Sequence, residues 1–167
     1  MCVQKIFVIL IASAMFLGTS NPAQAAGTTS ATGLSGQTLS ASIPNGALSA
    51  NGTTKVTISG KGYSTKVGIY VTFCVIPELG KKPELCGPFD VTGTKNQSIW
   101  ISNNPPFYGK LLVKKFGKGG TFKVTMPINS SIDEFDCTKV KCAIVTRADH
   151  TKPDYRKADV IIPVTFK

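Results

Sequence analysis

The sequence predicts an all-β fold, an antiparallel sandwich of short strands. Three observations carry that expectation. Apolar and β-branched residues alternate with polar ones in short runs, turn residues separate the runs, and no window holds apolar residues at helical spacing over three turns. Alternation sends successive side chains to opposite faces of a strand, so a sheet can bury one side and wet the other. About seven or more strands in two packed layers accommodate this pattern. No repeat of about 20–50 residues is present, which excludes a propeller or a solenoid.

The elements follow in order. Met1 to Lys5 is short and basic, Ile6 to Gly18 is an uncharged apolar run, and Ala23-Gln24-Ala25 has the small-x-small form that a signal peptidase cuts. Residues 1–25 are therefore expected to be a signal peptide, with the exported chain beginning at Ala26. The apolar run is shorter than the roughly 20 residues a membrane-spanning helix needs, and no later stretch is longer. No membrane span is expected in the mature chain.

Residues 26–37 (AGTTSATGLSGQ) carry no charge and little to bury, and predict a flexible leader. The domain is expected over residues 38–167. Within it, Val56 and Ile58 alternate with Lys55, Thr57 and Ser59. Val67, Ile69, Val71 and Phe73 share one face, with Tyr70, Thr72 and Cys74 on the other. Phe122, Val124 and Met126 oppose Lys123 and Thr125, and Val160, Ile162, Val164 and Phe166 close the chain. Pro163 marks an edge or a bulge in that last strand. Turn chemistry stands at residues 44–46, 51–52, 60–62 and 117–120.

Charge and cysteine usage bound the compartment. The 167 residues hold 19 Lys plus Arg against 9 Asp plus Glu, and 5 Cys. Removing residues 1–25 takes away Lys5 and Cys2, leaving a net charge of +9 and four cysteines. An even count in an exported chain reads as two disulfides, which excludes a cytosolic enzyme. Three pairings of Cys74, Cys86, Cys137 and Cys142 are possible; proximity favours 74–86 and 137–142, each closing a local loop. The expectation becomes an antiparallel β-sandwich with two local disulfides, secreted, with cell-wall association as a further expectation.

The stretch from Asn51-Gly52-Thr53 to Cys74, then Cys86, then Asp136-Cys137 with Cys142, and the closing Val160-x-Ile162-x-Val164-x-Phe166 strand resemble the neocarzinostatin apoprotein family over residues 38–167. The resemblance implies a secreted actinobacterial immunoglobulin-like sandwich with two short-range disulfides, carrying an enediyne chromophore in a cleft beside the disulfide loops. The chain departs from that pattern at Ile76, two residues after Cys74, where a chromophore carrier has tryptophan. Residues 93–120 also carry extra sequence. Trp100 to Gly109 (WISNNPPFYG) and Cys142 to Thr151 (CAIVTRADHT) resemble modules of actinobacterial envelope proteins, some of which accompany haem-transport domains.

Candidate chemistry is sparse. His150 is the only histidine; with Asp149 and Asp154 near it in sequence it suggests a base or a ligand, but acid–base or metal chemistry needs convergent partners. A surface-loop histidine is the plainer reading, and neither a metal site nor catalysis is expected. Two consecutive prolines stiffen the Asn103-to-Gly109 loop, whose Phe107 and Tyr108 offer an aromatic contact surface. Trp100, between Ile99 and Ile101, reads as core. Tyr108, Phe107, His150, Ile76 and Tyr70 are the ligand-binding candidates.

Lys110, Lys114 and Lys115 are the candidates for anion binding, and on a hairpin Lys114 and Lys123 would share a face. Sixteen mature lysines against two arginines suit loose attraction to anionic polymers better than base recognition. The function expected is a secreted envelope-binding or interaction module without catalysis, accessory to haem uptake. Its partners would be an envelope protein or an anionic wall polymer, with no sequence-specific nucleic acid. The alternative is a carrier of a small hydrophobic ligand with weak non-specific DNA binding. No cofactor is expected apart from haem, for which Tyr108 or His150 would supply the axial ligand.

Overall fold

The computed structural model describes residues 27–89 and 97–167; the expected signal peptide, residues 1–25, lies outside them. Two four-stranded antiparallel sheets pack face to face. The first holds β1 (Gly27–Thr32), β2 (Thr38–Ile43), β3 (Thr54–Lys61) and β6 (Phe122–Ile128), in the order β1-β2-β3-β6. The second holds β4 (Ile69–Val75), β5 (Ser98–Ile101), β9 (Cys142–Ala148) and β10 (Val160–Pro163), in the order β10-β9-β4-β5. A small hairpin of β7 (Ser131–Ile132) and β8 (Phe135–Asp136) stands apart. The sandwich expected from the sequence is the fold observed.

The alternating residues behave as period two requires. Leu39, Val56, Ile58, Val124 and Met126 point inward from the first sheet and meet Ile69, Val71, Phe73, Ile144 and Ile162 from the second. Each fully buried side chain of this kind contributes about 1.5–3 kcal/mol. Tyr63 closes one end, stacked on Phe116 and tilted against Phe122, with its hydroxyl 3.0 Å from Thr146 Oγ1. Burial raises its ionisation well above the ordinary tyrosine range, so it is a neutral hydrogen-bonding group.

Residues 27–32 are not a flexible leader. They pair residue for residue with β2, from Gly27 opposite Ile43 to Thr32 opposite Thr38. The composition misled because an edge strand with one wet face buries almost no side chain; backbone hydrogen bonds hold it.

The C-terminal run is also shorter than the alternation suggests. β10 is an edge strand that ends at Pro163, which lacks the N–H a central strand would need. The chain then crosses between the sheets. Phe166 bridges Leu48 in parallel, and the Leu48 N–H donates to the Thr165 carbonyl at 2.9 Å.

Both local disulfides form, Cys74–Cys86 and Cys137–Cys142. They fit an extracellular protein. No helix among the described residues is long and apolar enough to cross a membrane.

Candidate functional site

The two sheets differ on their outer faces. Residues of the first alternate buried and wet, whereas β5 and most of β4 and β9 are buried on both faces. The cover comes from two loops. Residues 76–89 fold back from the Cys74–Cys86 bridge, and residues 102–116 form the Pro-Pro loop.

The first loop is held by the chain's two arginines. Arg147 on β9 donates from Nη1 to the Pro83 carbonyl at 3.0 Å, and Arg156 donates from Nη2 to the Lys81 carbonyl at 2.9 Å. Arg156 also lies 2.6 Å from Asp159. Desolvation nonetheless outweighs that cation and keeps the Asp159 carboxyl above its ordinary range.

The second loop sits on Trp100. Cross-strand register places Trp100, Tyr70 and Arg147 in one row on the outer face. Trp100 is buried not in the sandwich core but beneath the Pro-Pro loop, where Gly109 lies flat on its indole. A Cβ at Gly109 would stand 2.5 Å from that ring, so only glycine allows the approach. Loop hydrogen bonds add rigidity. The Lys114 N–H donates to the Trp100 carbonyl, Ser102 N–H to the Lys114 carbonyl, and Phe116 N–H to Asn103 Oδ1, each at 2.9 Å.

Asp149 anchors the opposite side. This buried carboxylate accepts the Trp100 indole N–H at 2.8 Å and, through its other oxygen, the Thr151 hydroxyl and N–H at 2.5 and 3.0 Å. Gly68 makes room for it, since a Cβ there would fall 1.9 Å from Asp149 Oδ2. The carboxylate is thereby committed to Trp100 and to its own turn, and no hydrogen bond joins it to His150. An Asp–His pair suggested by the sequence does not form.

His150 is instead held between two phenols. Tyr70 Oη lies 2.6 Å from Nδ1 and Tyr108 Oη 2.8 Å from Nε2. The imidazole meets the Trp100 ring edge to face at 4.9 Å and stacks with both tyrosines at 6.1 Å. A neutral imidazole has one N–H and one lone pair, so one phenol donates to it while the other accepts. Partial burial and the nearby Asp149 charge raise the Tyr70 phenol above its ordinary value, against the opposing effect of Arg147. Beside this cluster a shallow depression of about 130 Å³ is lined by Tyr70, Lys82, Arg147, His150 and Pro153.

Three of the five ligand-binding candidates, Tyr70, Tyr108 and His150, thus converge although they are far apart in sequence. Ile76 does not join them; it packs with Cys74, Cys86, Ala143, Val145 and Ile161 around the first disulfide. Phe107 projects into solvent beneath the Lys110 ammonium, 5.5 Å from its ring centre. Lys114 and Lys115 are exposed. Lys114 and Lys123 do not share a hairpin face: Lys114 bridges Ile101 of the second sheet, while Lys123 pairs with Ser59 of the first. Trp100, Asp149 and Arg147 were missed as site residues, because nothing local in sequence marks a tryptophan that is covered on a sheet's outer face.

A wider depression of about 400 Å³ lies elsewhere, lined by Thr53, Pro88, Gln97, Pro127, Asn129, Ser131 and Asp133. Among the described residues no aromatic side chain lines it.

Fold and site together define a disulfide-bonded β-sandwich with an aromatic, histidine-centred surface cluster. No family model matches the chain, and no curated protein matches it. Among solved structures it is similar to macromomycin, at 14% identity and a TM-score of 0.46, over 77% of this chain and 99% of that one. Likeness at that level carries no conclusion about function; the sandwich rests on its own strand pairings. No match connects the chain with haem transport.

Proposed function

We propose that the protein is a non-catalytic binding module that works outside the cell and takes a flat aromatic ligand bearing acid groups, haem in particular, on the Tyr70–His150–Tyr108 surface. The observation that carries this reading is the His150 ring held between two tyrosine hydroxyls on a rigid Trp100–Asp149 base. Tyrosine oxygen is an established axial ligand for haem iron. Tyr108, 65% exposed, would hold the iron through its oxygen. His150 Nε2 is placed to take the phenol proton as that oxygen becomes anionic, with Nδ1–H donating to Tyr70. Lys82, at the rim of the adjoining depression, would meet a carboxylate as a point charge.

The depression is well below the roughly 300–1,000 Å³ of enclosed small-molecule pockets, so the ligand would lie on the surface and be easily passed on. That favours handover, as in an envelope module accessory to uptake, over sequestration. A chromophore-type carrier is less well supported, since the described residues lining the larger depression include no aromatic side chain.

An absorbance titration with haem tests the proposal. A Soret shift is expected, lost in Tyr108→Phe and weakened about tenfold in His150→Ala, the scale of one charge-assisted hydrogen bond. No shift, or a shift unchanged in the Tyr108→Phe, His150→Ala double variant, overturns it.

A further inference from the structure

The Pro-Pro loop carries a second surface that the His150 cluster does not use. Tyr108 turns toward His150, but Phe107 and Leu111, 87% and 97% exposed, project from the same turn into solvent, with Leu112 partly exposed beside them. Disorder does not explain this exposure. The Gly109 N–H donates to the Pro106 carbonyl and the Leu112 N–H to the Gly109 carbonyl, each at 2.9 Å, while Trp100 and Asn103 pin the flanks. A backbone held this firmly presents two large apolar side chains outward as a fixed feature.

The tip's own stretch of chain carries charge of one sign. Lys110, Lys114 and Lys115 are exposed beside it, and residues 91–132 of the sequence contain no Asp or Glu. A protruding apolar tip ringed by lysines matches the surface of an anionic bilayer. The apolar groups enter the boundary between headgroups and acyl chains, while lysine stems lie along apolar surface with their ammonium groups among the phosphates. With no acid in its own stretch of chain, the tip segment brings no repulsion of its own to such a surface.

We propose that residues 105–115 dock the protein onto an anionic lipid surface, with Phe107 and Leu111 inserted and Lys110, Lys114 and Lys115 at the phosphates. The docking is peripheral and reversible, because two side chains and a few lysines fall far short of a membrane-spanning segment. It is independent of ligand binding at His150.

The test is co-sedimentation with vesicles of phosphatidylcholine containing about one third phosphatidylglycerol, against vesicles of phosphatidylcholine alone. The chain is used as its host exports it, wild type and variants alike, so any contribution from its N-terminus is common to all. Binding to the anionic vesicles alone is expected. Phe107→Ser with Leu111→Ser should weaken it at least about tenfold. Lys110→Gln, Lys114→Gln and Lys115→Gln together should do so to a similar degree. Unchanged Trp100 emission verifies the fold of both variants, and His150→Ala, outside the docking segment, should bind vesicles as the wild type does. The proposal is overturned if the wild type ignores anionic vesicles, or if binding survives loss of Phe107 and Leu111, which would mean adsorption by charge alone. It is equally overturned if the tip instead mediates self-association, seen by sedimentation as an oligomer that the serine variant abolishes while vesicle binding is absent.

Discussion

Single atoms decide the geometry beneath the aromatic cluster. Trp100→Phe keeps most of the apolar bulk but removes the N–H that Asp149 accepts, leaving a buried carboxylate oxygen short of a donor. A loss of about 1–3 kcal/mol in denaturant unfolding is expected. Gly68→Ala forces a methyl group onto the same carboxylate and should cost about 2–3 kcal/mol, with similar consequences for Trp100. Asp136 is a separate case, a half-exposed carboxylate at the start of the small disulfide loop. The Thr138 hydroxyl, then Lys139 and the Thr138 N–H, lower its carboxyl from 3.8 to about 2. Because the folded value is depressed, its contribution is present above pH 3.8 and is lost as pH falls through about 2. Carbon-detected NMR should show this titration, and Thr138→Ala should move it upward.

At the scale of elements, the two disulfides are unequal. Cys74–Cys86 closes the longer loop and holds the segment that Arg147 and Arg156 bond from the second sheet. Replacing both cysteines with serine should cost about 3 kcal/mol, whereas the same change at Cys137 and Cys142 should cost about 2 kcal/mol. Only the first should disturb Lys82 and the depression beside His150. Amide hydrogen exchange can separate the effects, with lost protection at residues 76–89 in one variant and at residues 136–142 in the other. Loss confined to residues 136–142 in both would contradict the role given to the larger loop.

For the whole molecule, charge is the governing quantity. Both arginines are engaged by loop carbonyls, so the exposed cationic surface is made of lysine. Point charges attract phosphates without the planar fork that reads base edges. Binding to heparin or duplex DNA is expected to be weak, indifferent to sequence and steeply reduced by salt through counterion release. A footprint on one DNA sequence that persisted at high salt would refute this. The measurement is a salt series of binding isotherms with two unrelated duplexes.

The sequence alone determined whatever depends on local periodicity and chemistry. Alternation along 54–59, 67–76 and 121–128 defined strands that the structure contains, and Pro163 announced an edge. Tyr70, Tyr108 and His150 could be picked out as unusual side chains, but not as neighbours. The tertiary structure alone decided their meeting, because Tyr70 and His150 join through the pairing of β4 with β9, and Tyr108 arrives on a loop seated over Trp100. It also turned the supposed leader into β1, whose stability comes from hydrogen bonds to β2. The physical reason is the same in both cases. Periodicity records which face of a segment is buried, but a backbone pairing or a loop laid across a sheet leaves its mark on the partner rather than on the segment itself.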